Sequence, residues 1–340
     1  FRGIIYLTIK LYQEIIMSKA YTLQKQGSIS DLKLINSELP DPADSEVQIK
    51  HTAIGINRFD LHHIVGDYKL KNVPAVLGIE ACGVISKMGK GVKDFVVGDK
   101  VIYSTESKGS YSESRNIDAR WIMIAPDKIP DDVLVALFSK GLTAQYLSRQ
   151  VYFANKKSTV VVLGAAGGVG YVLCQYLKTT GAKVIAVVGS GEKKSFITNF
   201  GADFIIDHTS EDVVAKIREY SGGLGANCIY DCYGAGFLQN NIKATAPFGI
   251  IVNYGDVLGS LTNLNIMELW KKSLYIIRPS LFTYKVSNRV ELVLSSALLF
   301  THIIEGRIRP KINTYKFKEV PRALKDMQNN KLIGSVVVKI

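Results

Sequence analysis

The sequence predicts two domains of different class, a small β-barrel or sandwich and an α/β domain built on a doubly wound parallel sheet. Three observations predict this. Up to about Lys140 the chain carries short alternating or β-branched runs punctuated by Gly and Pro, as barrels and sandwiches do. Beyond Lys140, apolar strands alternate with helical patterns, the mark of a parallel sheet covered by helices. With 340 residues, the chain is also longer than one domain usually needs.

Strands of the first domain are expected at Leu32–Ile35, Val47–Ile56, Ala81–Met88 and Val101–Tyr103, with turns at Pro40-Asp41-Pro42, Gly78, Gly89-Lys90-Gly91 and Gly98. Residues 1–16 read differently: they are apolar, but Arg2, Lys10 and Glu14 interrupt them. The uninterrupted part is too short to span a bilayer, and no small-residue cleavage site follows. The expectation is that Met17 is the natural start and that residues 1–16 are a non-native extension; the other reading is a weakly amphipathic helix on a membrane surface.

In the second half, Thr159–Leu163 is a continuous β-branched run, as a strand buried on both faces should be. A glycine-rich turn follows, then a helical apolar pattern through Val169, Leu173 and Leu177. The alternation continues with a strand at Lys183–Val188, a helix from Glu192 to Phe200, and strands at Phe204–Ile206, Cys228–Tyr230 and Ile250–Asn253. From about Thr283 the tail holds a long helix and ends in a strand, Gly334–Ile340, whose partner is expected in the first domain. The domains are therefore expected at 17–140 with 283–340, and at 141–282.

Composition narrows the class. A hydrophobic share of 47% and a charged share of 21% describe a globular chain, not a disordered one. The formal charge of +12 suits contact with a phosphorylated cofactor or a polyanion, but no run of five like charges occurs, so a solvated basic surface is expected. Cys82, Cys174, Cys228 and Cys232 are too sparse for a disulfide scaffold and read as reduced thiols of a cytoplasmic protein.

The chemistry is concentrated at Val160-Val161-Val162-Leu163-Gly164-Ala165-Ala166-Gly167-Gly168-Val169-Gly170. Strand, tight turn and helix start occur in the order that a dinucleotide fingerprint requires. Gly167 admits the pyrophosphate to the backbone, Gly170 lets the helix pack on the strand, and the helix start offers amide donors to phosphate. Ala165 replaces the first fingerprint glycine, with Gly164 just before it. NAD enzymes place Asp or Glu at the end of the second strand to bind the ribose hydroxyl. Here the strand runs into Gly189-Ser190-Gly191-Glu192-Lys193-Lys194 instead, so NADPH is expected over NADH, with Ser190 and Lys193 on the 2′-phosphate.

These residues, with Ala53-Ile54-Gly55-Ile56-Asn57-Arg58-Phe59-Asp60, Gly78-Ile79-Glu80-Ala81-Cys82-Gly83, Gly98-Asp99-Lys100-Val101, Lys140-Gly141-Leu142-Thr143, Tyr230-Asp231-Cys232-Tyr233-Gly234 and Arg278-Pro279-Ser280-Leu281, bring a family into view. From Met17 to Ile340 the chain resembles the quinone oxidoreductase (zeta-crystallin-like) branch of the medium-chain dehydrogenase/reductases. The resemblance implies a GroES-like substrate domain made from both chain ends, a Rossmann domain between them, and a homodimer formed by the Rossmann domains. It further implies that Asn57, Lys140 and Thr143 lie beside the nicotinamide and that Gly167, Gly168 and Val169 follow the pyrophosphate. Gly189, Ser190 and Lys193 would meet the adenosine phosphate, Tyr254 and Gly255 would run along the cofactor, and Arg278 and Ser280 would close over it. His208 stands where relatives commonly stack Tyr on the adenine.

Zinc-dependent members of the superfamily need a Cys and a His in the catalytic domain. Here Gly78-Ile79-Glu80 lacks that His and the Asn57–Asp60 stretch offers no Cys, so no catalytic metal is expected. His62 and His63 read as surface or pocket-rim residues. Without a Lewis acid, reduction of an electron-poor acceptor is easier than alcohol oxidation, and the protein then mainly orients nicotinamide and acceptor. Asn57 is expected to position the nicotinamide and Tyr68 to stand near the acceptor. The expected activity is NADPH-dependent reduction of a small quinone. Reduction of enones is the alternative, and a structural or RNA-binding role is a remote third.

Overall fold

The computed structural model describes residues 16–340, so the expectation for the N-terminal extension lies outside the described residues apart from Ile16. The chain divides into two compact units.

The first unit holds the described residues up to Val135, joined by Thr314–Lys331 and Val337–Ile340. Its strands begin with β1 (Ile16–Leu23), β2 (Leu32–Leu39), β3 (Glu46–Ile56) and β4 (Ala75–Val76). They continue with β5 (Glu80–Met88), β6 (Lys100–Ser104), β7 (Ser114–Asp118) and β8 (Ile122–Ile124). β1 pairs antiparallel with β2 along its whole length, from Ile16 opposite Leu39 to Leu23 opposite Leu32, and β4 adds to its other edge. β3 is the central strand of the larger sheet, antiparallel to β5 on one side and to β7 on the other. Its residues Val47, Ile49, Ala53 and Ile54 are buried, and so are Ala81, Val101, Ile102 and Tyr103 on its neighbours, so both faces of the sheet are covered here.

The second unit holds Ala136–Asn313 and Leu332–Val336. Its strands are β9 (Thr159–Leu163), β10 (Lys183–Val188), β11 (Phe204–Asp207), β12 (Ala226–Asp231), β13 (Thr245–Asn253) and β14 (Tyr275–Ile277). They form one parallel sheet in the order β11-β10-β9-β12-β13-β14. Successive side chains of a strand point to opposite faces. Val161 and Leu163 of β9 and Ile185 and Val187 of β10 therefore share one face, where they pack with Ile206, Val213 and Ile217. The β-branched runs were legible because both faces are covered.

The boundary expected at residue 283 is corrected by the structure. The helix Arg289–Ile304 belongs to the second unit, because its buried face packs on the helix Asp131–Tyr146. Leu299 is fully buried there, and a Cβ on Gly141 would come within 2.5 Å of its Cδ1. Phe138 and Phe300 stack at 6.1 Å, and Gln145 donates to the Ser295 carbonyl at 3.0 Å. The other boundary falls at Ala136, whose carbonyl accepts from the Ser335 hydroxyl at 2.7 Å. The last strands are β15 (Ile312–Lys316) and β16 (Ser335–Lys339), and β16 lies between β15 and β3.

Replacing Leu299 by Ala removes a fully buried side chain that the neighbouring helix cannot replace. Leu299→Ala is expected to cost about 3 kcal/mol through lost transfer energy and a residual cavity. Urea unfolding should show a lower midpoint with an unchanged slope.

Candidate dinucleotide and acceptor sites

The strand order of the parallel sheet reverses between β9 and β12, and ligands of such sheets bind outside the carboxyl ends of the strands at that point. There β9 ends in Leu163, and Gly164 takes the left-handed conformation, φ 61°, that few other residues accept. Its carbonyl accepts from Gly167 N at 2.9 Å, while Ala165 N donates to Val187 O at 3.1 Å. The helix Gly170–Thr179 starts directly on this turn, where a Cβ on Gly170 would lie 2.4 Å from Gly164 O and 2.8 Å from Ala165 Cα. Gly164 thus does the turning that the fingerprint assigns to its first glycine, and the methyl of Ala165 is wholly buried. A Cβ on Gly167 would come within 3.2 Å of Gly164 O, whereas at Gly168 the nearest atom is Gly334 O at 3.6 Å. Val169 is the residue that leads into the helix. Gly334 N donates to Ala166 O at 2.9 Å, which fixes the far side of the turn.

Lys140 is buried, and its Cγ and Cε lie 3.9 and 4.0 Å from the Cβ position of Gly168. Thr143 sits one helical turn on, with its hydroxyl donating to Ser139 O at 2.8 Å. Its hydrogen is therefore turned back into the helix and its lone pairs remain for a donor.

At the end of β10 the Ser190 hydroxyl caps the helix Gly191–Ile197 by accepting from Lys193 N at 3.4 Å. Glu192 is exposed in the first helical turn, where its charge favours the helix start. Lys194 is paired with Glu211 at 3.1 Å. The Asp207 backbone N–H first, and Lys194 second, hold the Glu211 carboxyl below its ordinary value. Lys193 shares the turn with Ser190 and no carboxylate ends the strand. A Cβ on Gly189 would come within 2.9 Å of His208 Nε2, so the missing side chain makes room for that ring. His208 packs edge-on against Tyr233 and Phe237, each at 5.3 Å. Tyr233 and Phe237 complete an aromatic wall that the sequence analysis did not include; the signal was the aromatic residue directly after Asp231-Cys232.

The ends of β12 and β13 are tied together by a buried acid. Asp231 Oδ1 accepts from Tyr233 N at 2.7 Å and Gly234 N at 3.0 Å, and Oδ2 accepts from Asn253 Nδ2 at 3.1 Å. Burial raises this carboxyl above the usual range. Arg278 donates to Asn253 Oδ1, and to Asp256 Oδ2 at 3.2 Å. Arg278 is therefore fixed on the loop that carries Tyr254 and Gly255, and it also donates to Gly255 O at 3.4 Å. Tyr254 N donates to Asp231 O at 2.8 Å, and burial pushes its phenol up. Ser280 is exposed, and its carbonyl accepts from Tyr284 N at 3.1 Å.

Asn57 and Tyr68 stand in the first unit. Asn57 precedes the helix Arg58–Val65, and its backbone N–H donates to Asp60 Oδ2 at 2.8 Å. That carboxylate also accepts from Tyr111 Oη at 2.7 Å. Tyr111 reaches it past Gly78, where a Cβ would stand 2.3 Å from the tyrosine ring. Asn57 Nδ2 donates to Glu80 Oε2 at 3.0 Å, and Glu80 is wholly buried beside Gly55, which has no Cβ to displace it. The Tyr68 ring packs on His62 at 4.9 Å, Phe59 at 5.5 Å and His63 at 5.7 Å. Among the described residues, no group of three or more His, Cys, Asp or Glu side chains is arranged to hold a metal ion.

Comparison with known proteins joins these features. Residues 43–151 match the alcohol dehydrogenase GroES-like domain and residues 168–296 the zinc-binding dehydrogenase family. The chain is 34% identical to quinone oxidoreductase 1 of Escherichia coli (strain K12) over 323 residues, which are 94% of this chain and 98% of that protein. It is 31% identical to a 2-haloacrylate reductase of Burkholderia sp over 330 residues, covering 95% of this chain and 99% of that one. The crystal structure of Escherichia coli quinone oxidoreductase complexed with NADPH superposes with a TM-score of 0.92 at 34% identity, covering 95% of this chain and 100% of that chain. With a GroES-like unit, a Rossmann unit of matching strand order and relatives of this identity over nearly its whole length, the chain belongs to the quinone oxidoreductase branch of the medium-chain dehydrogenase/reductase family.

Proposed function

We propose that the protein is a zinc-independent NADPH:quinone oxidoreductase. The observation that carries this reading is the strand end at Gly189-Ser190: the acid that would bind a ribose hydroxyl is missing, and a capping hydroxyl and Lys193 stand in its place. The relatives support the acceptor, since quinone oxidoreductase names several of them at 32–35% identity.

The residues present fit the cofactor. Gly167 and Gly168 leave the turn open to a pyrophosphate, and the helix start at Gly170 supplies amide donors and a partial positive charge. Ser190 and Lys193 would hold the 2′-phosphate, His208 the adenine, and Tyr254 with Gly255 the middle of the dinucleotide. Arg278 acts from behind, fixing the Tyr254 loop through Asn253 and Asp256. Lys140 and Thr143 would meet the nicotinamide end. When bound, NADPH supplies the hydride. Asn57 is suited to a carboxamide, because Glu80 accepts from its Nδ2 and leaves its oxygen as the acceptor. Tyr68 stands on an aromatic cluster of the first unit and suits a flat, electron-poor ring. The 2-haloacrylate reductase among the relatives supports activated alkenes as the second class of acceptor. A homodimer is supported by the edge strand β14 and the exposed Ile266, Met267, Trp270 and Tyr275 on or just before it. The sparse cysteines support a cytoplasmic location.

Gly167→Val is expected to abolish binding of NADPH and NADH alike, because the side chain takes pyrophosphate space; normal affinity in a folded variant, by fluorescence titration, places the phosphates elsewhere. Lys193→Ala should weaken NADPH by about 1–2 kcal/mol, the scale of one charge-assisted hydrogen bond, and leave NADH nearly unchanged. Equal losses for both show that Lys193 does not read the phosphate. The purified protein should oxidise NADPH with a simple benzoquinone or naphthoquinone, with or without a strong chelator, and give almost nothing with ethanol and NADP. Near-stoichiometric zinc whose removal abolishes activity overturns the mechanism; rapid enone reduction without quinone turnover overturns the acceptor.

A further inference from the structure

Reduction of a quinone or enone by a hydride leaves one proton outstanding, and the roles assigned above do not include supplying it. The end of the helix Arg58–Val65 offers a candidate. Gly66 caps it in the left-handed conformation, φ 95°, and turns the chain back over the last turn. Gly66 N and Tyr68 N both donate to His62 O at 3.1 Å. This return brings Asp67 Oδ2 to 2.9 Å from His62 Nδ1 and lays the Tyr68 ring over His62 at 4.9 Å with 31° between the planes.

The adjacent His63 differs. Its Nδ1 faces the Tyr68 carbonyl at 3.1 Å, so that nitrogen carries the ring proton, and its buried Nε2 has no hydrogen-bond partner. Burial first, and the charge of Lys108 second, lower its pKa. His62 is the ring backed by a carboxylate. A carboxylate only accepts, so Nδ1 of His62 carries a proton, and in the imidazolium form the second proton is on Nε2, opposite Asp67.

We propose that His62, held by Asp67, is the proton donor to the reduced acceptor; this rests on the reading that Tyr68 marks the acceptor site. As one C–H bond of the reduced nicotinamide breaks, its hydrogen and electron pair form a new bond to the acceptor, an O–H bond at one oxygen of a quinone or a C–H bond at the β-carbon of an enone. One oxygen of the acceptor is left as a phenolate, or as an enolate for an enone. For a quinone that oxygen takes the Nε2 proton, an O–H bond forms, and the neutral imidazole regains a proton from water. Charged and titratable groups near the ring include Asp67, His63, Tyr68 and Lys69, whose ammonium lies beside Gly66, and Lys108 acts on the adjacent His63.

The test compares the unaltered protein with His62→Gln and Asp67→Asn, using NADPH and a benzoquinone. A proton donor works only while protonated, so turnover of the unaltered protein should be full on the acid side and fall as pH rises through the histidine range. His62→Gln should lose turnover about 100-fold and lose that decline with pH, with NADPH affinity unchanged. Asp67→Asn should move the decline to lower pH, since the imidazolium loses its carboxylate. A second readout is independent of turnover: hydroquinone added to the NADP-loaded protein should shift one histidine ring proton among the five histidines, and that signal should be missing from His62→Gln. NADPH-dependent quinone turnover with an unchanged rate and pH profile in His62→Gln overturns the proposal alone, and an unmoved profile in Asp67→Asn overturns the pairing. No turnover by the unaltered protein overturns the acceptor reading and the proposal with it.

Discussion

A helix can begin on a phosphate-binding turn only if nothing larger than a hydrogen atom separates them, and Gly170 meets that demand with Gly164 O 2.4 Å from where its Cβ would be. The contact aims the first amides of the helix outward over the end of β9. It also needs Gly164 in the left-handed region, and there the Gly164 side-chain position is closed by Cys232 Sγ at 2.5 Å. Neighbouring strands of the switch point thus lock each other: β12 holds the turn of β9 through Cys232, and Gly334 holds its far side through Ala166. The helix N-terminus is useful because these close approaches leave it one position to occupy.

The two units solve a related problem in the same way. Each uses a fully buried carboxylate to pin an asparagine. Asp231 accepts from Asn253, and Glu80 accepts from Asn57. A carboxylate fixes which end of an amide faces it, so the amide oxygen is presented on the other side. Asn253 spends that oxygen on Arg278, which orders the loop after β13. Burial of Asp231 is costly for a charge, and three donors offset the cost.

The parts legible in the sequence were those that local chemistry dictates. β9 and β10 begin and end at the expected residues because their β-branched runs are buried on both faces. The glycine turn was legible because backbone conformation and close approach allow only glycine at Gly164 and Gly170. What escaped depended on partners distant in sequence. The helix Arg289–Ile304 gives no local sign that it packs on Gly141, so the domain boundary fell too early. The short strands β4, β7, β8 and β14 lack a pattern of their own and exist through their neighbours. The ion pair of Arg278 with Asp256, which braces the loop after β13, likewise joins residues far apart in the chain. The pairing of His62 with Asp67 depends on a left-handed glycine between helix and loop, which the sequence alone leaves unspecified.

The position of β16 has a consequence for how the molecule is made. It lies between β15 and β3, yet the ribosome delivers it after the other fifteen described strands. Until then the second half of β3, where Ile340 N finally donates to Thr52 O at 3.2 Å, lacks its neighbour on that edge. An unpaired strand edge is a template for the wrong partner. The second unit has its own continuous sheet within residues 159–277 and can close during synthesis. The barrel, by contrast, is begun before that sheet and completed after it, so the emerging chain carries an open strand edge while the second unit is made.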